Sequence, residues 1–135
     1  MRLVVDASVA AKWFIIEPDS HLAASVRNED LIAPAILRIE CANALIKRLR
    51  IGEIDERQTR SRLGRVSTMP VTLHPLDEDR SIDLALQLRH PAWDCGYLAL
   101  ALEQRIRVVT ADERFYRHAT DGGYGANILL LSDYA

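Results

Sequence analysis

Four acidic residues stand where a folding chain has least use for a charge: Asp6, Glu40, Asp94 and Asp112. Asp6 closes the apolar run Leu3-Val4-Val5, and Asp112 follows Val108-Val109-Thr110 by two residues. In open parallel sheets ligands bind outside the carboxyl ends of the strands. Two acids at two such ends meet at one edge when their strands are neighbours, although each is equally readable as a helix N-cap. Glu40 has Ile36, Leu37, Asn43 and Ala44 at three and four residues' distance. It therefore shares a helix face with mostly apolar neighbours and needs a partner there. A salt bridge to Arg38 or Lys47 is the plain structural alternative. Asp94 opens Trp93-Asp94-Cys95-Gly96-Tyr97-Leu98-Ala99-Leu100-Ala101-Leu102, which is apolar nearly all round and reads as an interior helix. An acid in its first turn also interacts favourably with the helix dipole.

Taken together the four acids pose an electrostatic problem. Two like charges about 4 Å apart repel by about 4 kcal/mol at an effective dielectric of 20. Protonation, a basic partner or a divalent cation relieves this. Oxygen ligands without an accompanying histidine or thiolate suit Mg²⁺ or Mn²⁺ rather than zinc. Such an ion lowers the pKa of a coordinated water and neutralises phosphoryl oxygens. Ser8 and Thr110, each two residues from an acid, are placed to support the site from outside the ligand set, and Asn43 is placed one turn beyond Glu40 to orient it.

Other chemistries find less support. Cys41 and Cys95 form no CxxC pair and read as reduced thiols in or near the core. His21, His74, His90 and His118 lack metal-ligand spacing and read as surface or turn residues. Ser8 has no evident partner base. Gly122-Gly123-Tyr124-Gly125 lacks the Lys-Ser/Thr of a phosphate-binding loop and reads as a turn. A dehalogenase-type phosphohydrolase wants a second Asp two residues after Asp6, and position 8 is Ser.

The elements that must position these groups alternate between short apolar strands and longer helices. Residues 3–5, 31–33, 107–110 and 128–131 read as strands, and 71–73 as a strand or extended segment. Helices are expected over 7–16, over 21–28 with Ser20 as cap, and from Pro34 to about Ile51. Others are expected from Asp55 or Ser61 to about Ser67, from Asp77 or Asp79 to about Arg89, and over 93–105. This is an α/β pattern with a mostly parallel central sheet of four to five short strands flanked by helices. At 135 residues it is one domain.

With 49% hydrophobic and 27% charged residues the chain has the makings of an ordinary core. Its net charge of -2 supplies no general attraction for nucleic acid. A local excess exists between residues 47 and 65, where seven basic residues face three acids. Lys47, Arg48 and Arg50 lead this segment and are the candidate phosphate contacts. Solvated Glu/Arg pairing is the plainer reading of it. Trp13 and Phe14 read as core, or as the lining of a groove for a partner helix. No membrane span and no secretory signal is read in the sequence, so a cytoplasmic location is expected.

Four elements, in this order and at these separations, resemble the PIN-domain ribonucleases. Asp6-Ala7-Ser8 is similar to their opening after the first strand, and Glu40 with Asn43 to their second acid. Trp93-Asp94-Cys95-Gly96-Tyr97-Leu98-Ala99-Leu100-Ala101 resembles their YDAxYLALA element, with Trp93 and Cys95 replacing Tyr and Ala. Val109-Thr110-Ala111-Asp112-Glu113-Arg114-Phe115 resembles their hTxDxxF element. Chain length and motif order resemble the VapC-type toxins of bacterial toxin–antitoxin pairs. The resemblance implies a single PIN domain that hydrolyses RNA phosphodiesters with Mg²⁺ or Mn²⁺, leaving 5′-phosphate and 3′-hydroxyl ends. It implies Asp6, Asp94 and Asp112 as metal ligands and Glu40 as holder of a water or second ion. It implies a VapB-type antitoxin as partner, and a homodimer. A PIN-like RNA-processing nuclease without antitoxin, and a non-catalytic RNA-binding protein on the same fold, are the alternatives.

Overall fold

The computed structural model describes residues 1–134. Five strands, β1 (Arg2–Val5), β2 (Asp30–Pro34), β3 (Val71–His74), β4 (Arg107–Thr110) and β5 (Ile128–Leu130), form one sheet in the order β3-β2-β1-β4-β5. Every pairing is parallel. Leu3, Val4 and Val5 are all buried, as are Leu31, Ile32, Ala33, Val108 and Val109. Successive strand residues point to opposite faces, so a run buried without alternation means a sheet covered on both sides.

Among the described residues seven α-helices connect and cover the strands: α1 (Ala7–Ala10), α2 (Ser20–Val26), α3 (Leu37–Arg50), α4 (Glu56–Val66), α5 (Glu78–Leu88), α6 (Ala92–Gln104) and α7 (Glu113–Asp121). The apolar helix α6 packs on β1, β2 and β4, and α5 packs on α6. The Cβ that Gly96 lacks would stand 2.6 Å from the Leu76 side chain and 3.4 Å from Ser81 Oγ, so glycine there permits the close approach. Cys41 and Cys95 are free and buried in this core, as their sequence context leads one to expect.

Several element boundaries differ from the sequence reading. Pro34 ends β2 instead of opening a helix, beyond the residues registered against β1; α3 starts at Leu37. The first helix is a single turn that tightens into a 3-10 turn over Ala11–Trp13. Ser20 does not cap α2, because its hydroxyl accepts from the Glu17 N–H and reaches the Ile15 carbonyl. Helix α7 is an addition, carried by Phe115 and Ala119 four residues apart on its buried side. Phe14 is core, whereas Trp13 is half-buried and donates its indole N–H to the Ala23 carbonyl.

Two ends read correctly show their physics. Gly52 follows α3 at φ +81°, a conformation that stops a helix at little cost only with glycine. Asp55 begins α4 with a reciprocal capping box: its side chain accepts from Gln58 N–H and Gln58 Oε1 accepts from Asp55 N–H. Asp55→Ala is expected to cost about 1 kcal/mol, measurable as a lowered urea midpoint with unchanged slope.

Candidate metal centre

The strand order reverses at β1: the chain runs outward from β1 through β2 to β3, then crosses to β4 on the other side of β1. In such sheets the crevice beyond the carboxyl ends at the reversal is where ligands bind. Asp6 and Asp112 stand there. Val5 is registered against Val109, and Asp6 N–H donates to the Val109 carbonyl at 3.1 Å. The two strands are neighbours, as convergence of their acids requires.

Hydrogen bonds build the corner between them. Ser8 Oγ donates to Asp6 Oδ2 at 2.6 Å and Thr110 Oγ1 donates to the same oxygen at 2.8 Å. Each hydroxyl in turn accepts a backbone N–H, Ser8 from Ala111 and Thr110 from Asp112. The loops after β1 and β4 are thus tied through one carboxylate oxygen. Asp6 stands at the N-cap position of α1, its carbonyl accepting from Val9 and Ala10 N–H, but its side chain makes no cap. Asp112 does cap α7, its Oδ1 accepting from the N–H groups of Arg114 and Phe115. The cap uses Oδ1 alone, and among the described residues Oδ2 makes no hydrogen bond.

Glu40 comes from the first turn of α3 and is half-buried. It forms no ion pair with Arg38 or Lys47 among the described residues; Tyr97 on α6, fully buried, donates its hydroxyl to Glu40 Oε1 at 2.5 Å. Asn43 is exposed and is not the group that orients Glu40. It lines a separate hollow with Ile46, Lys47, Arg50 and Ile51. The sequence carries Tyr97 within an apolar run, where its hydroxyl is silent until α3 is placed opposite.

Asp94 sits in the first turn of α6, whose N-cap is Pro91, and accepts from the His90 ring, Nε2 to Oδ2, at 2.6 Å. His90 lies in the connection between α5 and α6, as a turn residue would, but it is buried rather than at the surface, and its Nδ1 meets His118 Nδ1 at 2.8 Å. The four-residue spacing from His90 to Asp94 was visible, but Pro91 between them hides that both face one site. His74 also departs from that reading. It ends β3, and its Nε2 is buried without a partner.

The acids perturb one another. Burial, with Asp94 nearby, pushes the Asp6 carboxyl from its ordinary 3.8 up to about 7, even though Ser8 and Thr110 pull it down. Glu40 is raised by burial, against the Tyr97 hydrogen bond and with repulsion from Asp94. Asp94 is raised by burial, against His90 and with repulsion from Asp112. These pairwise repulsions connect all four acids. Burial pushes the Cys41 thiol to about 12 and the Cys95 thiol to about 11, so neither is a nucleophile at neutral pH.

A cleft of about 590 Å³ opens at this edge, lined by Ser8, Glu40 and Asp112 together with Lys12, Lys47 and Arg48. Asp6 and Asp94 are not part of its lining. One ligand atom from each of His90, Asp94 and Asp112 lies within 4.8 Å of the others. In each acid one oxygen is held by a protein donor, and among the described residues the other makes no hydrogen bond. Oriented carboxylates with a spare hard oxygen fit a divalent metal, and the structure brings a histidine, His90, into that group, which the sequence reading did not.

The family model described as PIN domain matches residues 3–121. The chain belongs to the PIN domain family. No curated protein matches it as a relative. PIN domains are generally nucleases and typically bind divalent metals, which agrees with the acidic group of this PIN domain. Its α/β fold with an all-parallel five-stranded sheet is the one the sequence pattern implies.

The candidate phosphate contacts divide. Lys47 is exposed and borders both hollows. Arg48 bridges Glu17 and Glu53, and Arg50 faces only the hollow beyond the acids. Arg60 pairs with Glu56, so part of the basic segment is internally neutralised.

The raised Asp6 carboxyl sets a pH dependence. Between its ordinary value of 3.8 and about 7 the folded chain holds a proton that the unfolded chain has lost. Stability therefore falls as pH rises through that window, and the whole penalty is present above it. In the metal-free protein Asp6→Asn is expected to stabilise by on the order of 1–3 kcal/mol at pH 8. Urea unfolding in EDTA should show that gain vanish near pH 4. Asp6→Asn is the variant of choice because Asp6 is the most deeply buried of the four acids.

Proposed function

We propose that this PIN domain is a metal-dependent endoribonuclease in which Asp6, Glu40, Asp94 and Asp112 form the catalytic metal centre. The observation that supports the reading is that ligand atoms of Asp94 and Asp112 lie with one of His90 within 4.8 Å of one another, next to a cleft lined by Glu40 and Asp112. Mg²⁺ or Mn²⁺, when bound, would neutralise phosphoryl charge and supply a nucleophilic water at neutral pH. Asp6, Asp94 and Asp112 would hold it, and Glu40 would serve a water or second ion. Ser8 and Thr110 fix Asp6, and Tyr97 fixes Glu40. Lys47, exposed at the cleft, is the best placed of the three basic candidates to meet an incoming phosphate.

The toxin role rests on the sequence resemblance to the VapC-type proteins and on the character of the cleft. Ile15, Ala44 and Ile51 line it beside the acids, and Ile51 is 59% exposed. Such a surface suits a VapB-type antitoxin that lays apolar side chains along the cleft and brings a basic group to the acids. Exposed Ile82 and Leu86 on α5 and Trp93 on α6 support pairing of two copies. No helix is long and apolar enough to cross a membrane.

Incubation of the purified chain with structured RNA in Mg²⁺ or Mn²⁺ should yield cleavage with 5′-phosphate ends, abolished by EDTA. Asp6→Asn, Asp94→Asn and Asp112→Asn should each lower the rate by about 100-fold or more. Cleavage by these variants at the parental rate would refute the assigned centre. Growth arrest on induction, relieved by the same substitutions, tests the toxin role.

A further inference from the structure

We infer that His90 is a positioning residue for Asp94, and that His118 and Phe115 lock it in place. The inference rests on the metal-centre reading above and adds residues that lie outside the four acids. His90 is fixed from three directions. Helix α5 ends with Arg89 in the left-handed region at φ 53°, and His90 N–H donates to the Ala85 carbonyl at 3.2 Å. Pro91 then begins α6, so His90 lies in a tight connection between two packed helices. Its ring stacks on Phe115, with centroids 5.0 Å apart and planes inclined by 19°. His118 meets it edge-on at 5.0 Å and 81°. The side chain is 1% exposed.

The hydrogen bonds assign its nitrogens. An ionised carboxylate only accepts, so His90 Nε2 carries the proton shared with Asp94 Oδ2. Its Nδ1 lies 2.8 Å from His118 Nδ1, so one ring donates to the other. This contact holds the His90 ring in the orientation that aims Nε2 at Asp94. With Oδ2 held, the other oxygen of Asp94 makes no hydrogen bond among the described residues. The first turn of α7 controls two acids at once: the Phe115 N–H holds Asp112 Oδ1 while the Phe115 ring supports His90. Partners that orient a ligand in this way typically change metal affinity 10- to 100-fold when removed.

The probe is Mn²⁺ alone, titrated calorimetrically into the wild-type chain and the variants His90→Phe, His90→Gln and His118→Phe. Gln keeps a side-chain N–H for Asp94; Phe keeps the ring volume without it. His90→Phe should weaken Mn²⁺ about 10-fold or more, and His90→Gln should recover most of that loss. His118→Phe should weaken it several-fold. Pulsed electron paramagnetic resonance of the wild-type Mn²⁺ complex should show no directly coordinated nitrogen. Unchanged affinity in His90→Phe overturns the inference, and so does a nitrogen coupling that makes His90 itself a ligand. If His90→Phe does not fold, His118→Phe carries the test, and parental affinity there overturns it. A wild-type chain that binds no Mn²⁺ overturns the metal reading and this inference with it; normal wild-type binding with insensitive variants overturns this inference alone.

Discussion

Like charges held out of water at one sheet edge are the condition that organises this molecule. Burying a carboxylate costs free energy unless donors or counter-charges meet it. Asp6 is the extreme case, 2% exposed at the end of a central strand and pushed up to about 7 by burial and by Asp94. The fold does not avoid the repulsion by moving the acids apart. It holds each by one oxygen, and among the described residues the other makes no hydrogen bond. A hydroxyl pair does this for Asp6, a phenol for Glu40, an imidazole for Asp94 and two backbone N–H groups for Asp112.

Topology makes that arrangement possible. Only because β4 lies against β1 do the loops carrying Asp6 and Asp112 touch, and only then do Ser8 and Thr110 reach the same oxygen. Helix α6 packs across β1, β2 and β4, which places its first turn, with Asp94, at that corner. Its interior residue Tyr97 is in turn set against α3 and Glu40. The parallel sheet and the apolar helix are therefore the scaffold of the acidic site as well as the core.

The strands and the long helices were legible because their signals are local: buried apolar runs for β1, β2 and β4, a stop at Gly52, a cap at Asp55. Asp6, Glu40, Asp94 and Asp112 were legible for a related reason, being charges at positions that otherwise bury. What the residues around the acids do was less so. Asn43 has the right spacing to serve Glu40 yet faces away, because a helix face in sequence does not say which neighbour covers it. His90 looked like a turn residue before Pro91, and only the packing of Phe115 and His118 from α7 makes it interior. Helix α7 itself is short and mostly polar, with little beyond Phe115 and Ala119 to announce it.

The cations already in the cleft explain why the acids stay unmet. Lys12 and Arg48 line the same space as Glu40 and Asp112. Each is engaged elsewhere. Lys12 is held by Glu17 and Asp19, which together outweigh the effect of burial and keep its ammonium above its ordinary value. Arg48 is shared between Glu17 and Glu53. Glu17 thus binds both cations and draws them off the candidate metal centre. An internal salt bridge to those acids would have met their charge from within the chain. With the resident cations diverted, relief of the repulsion has to come from outside the chain. A hard divalent ion and a basic side chain from a bound partner answer the same electrostatic need, so on the proposed reading activation and silencing converge on one set of oxygens.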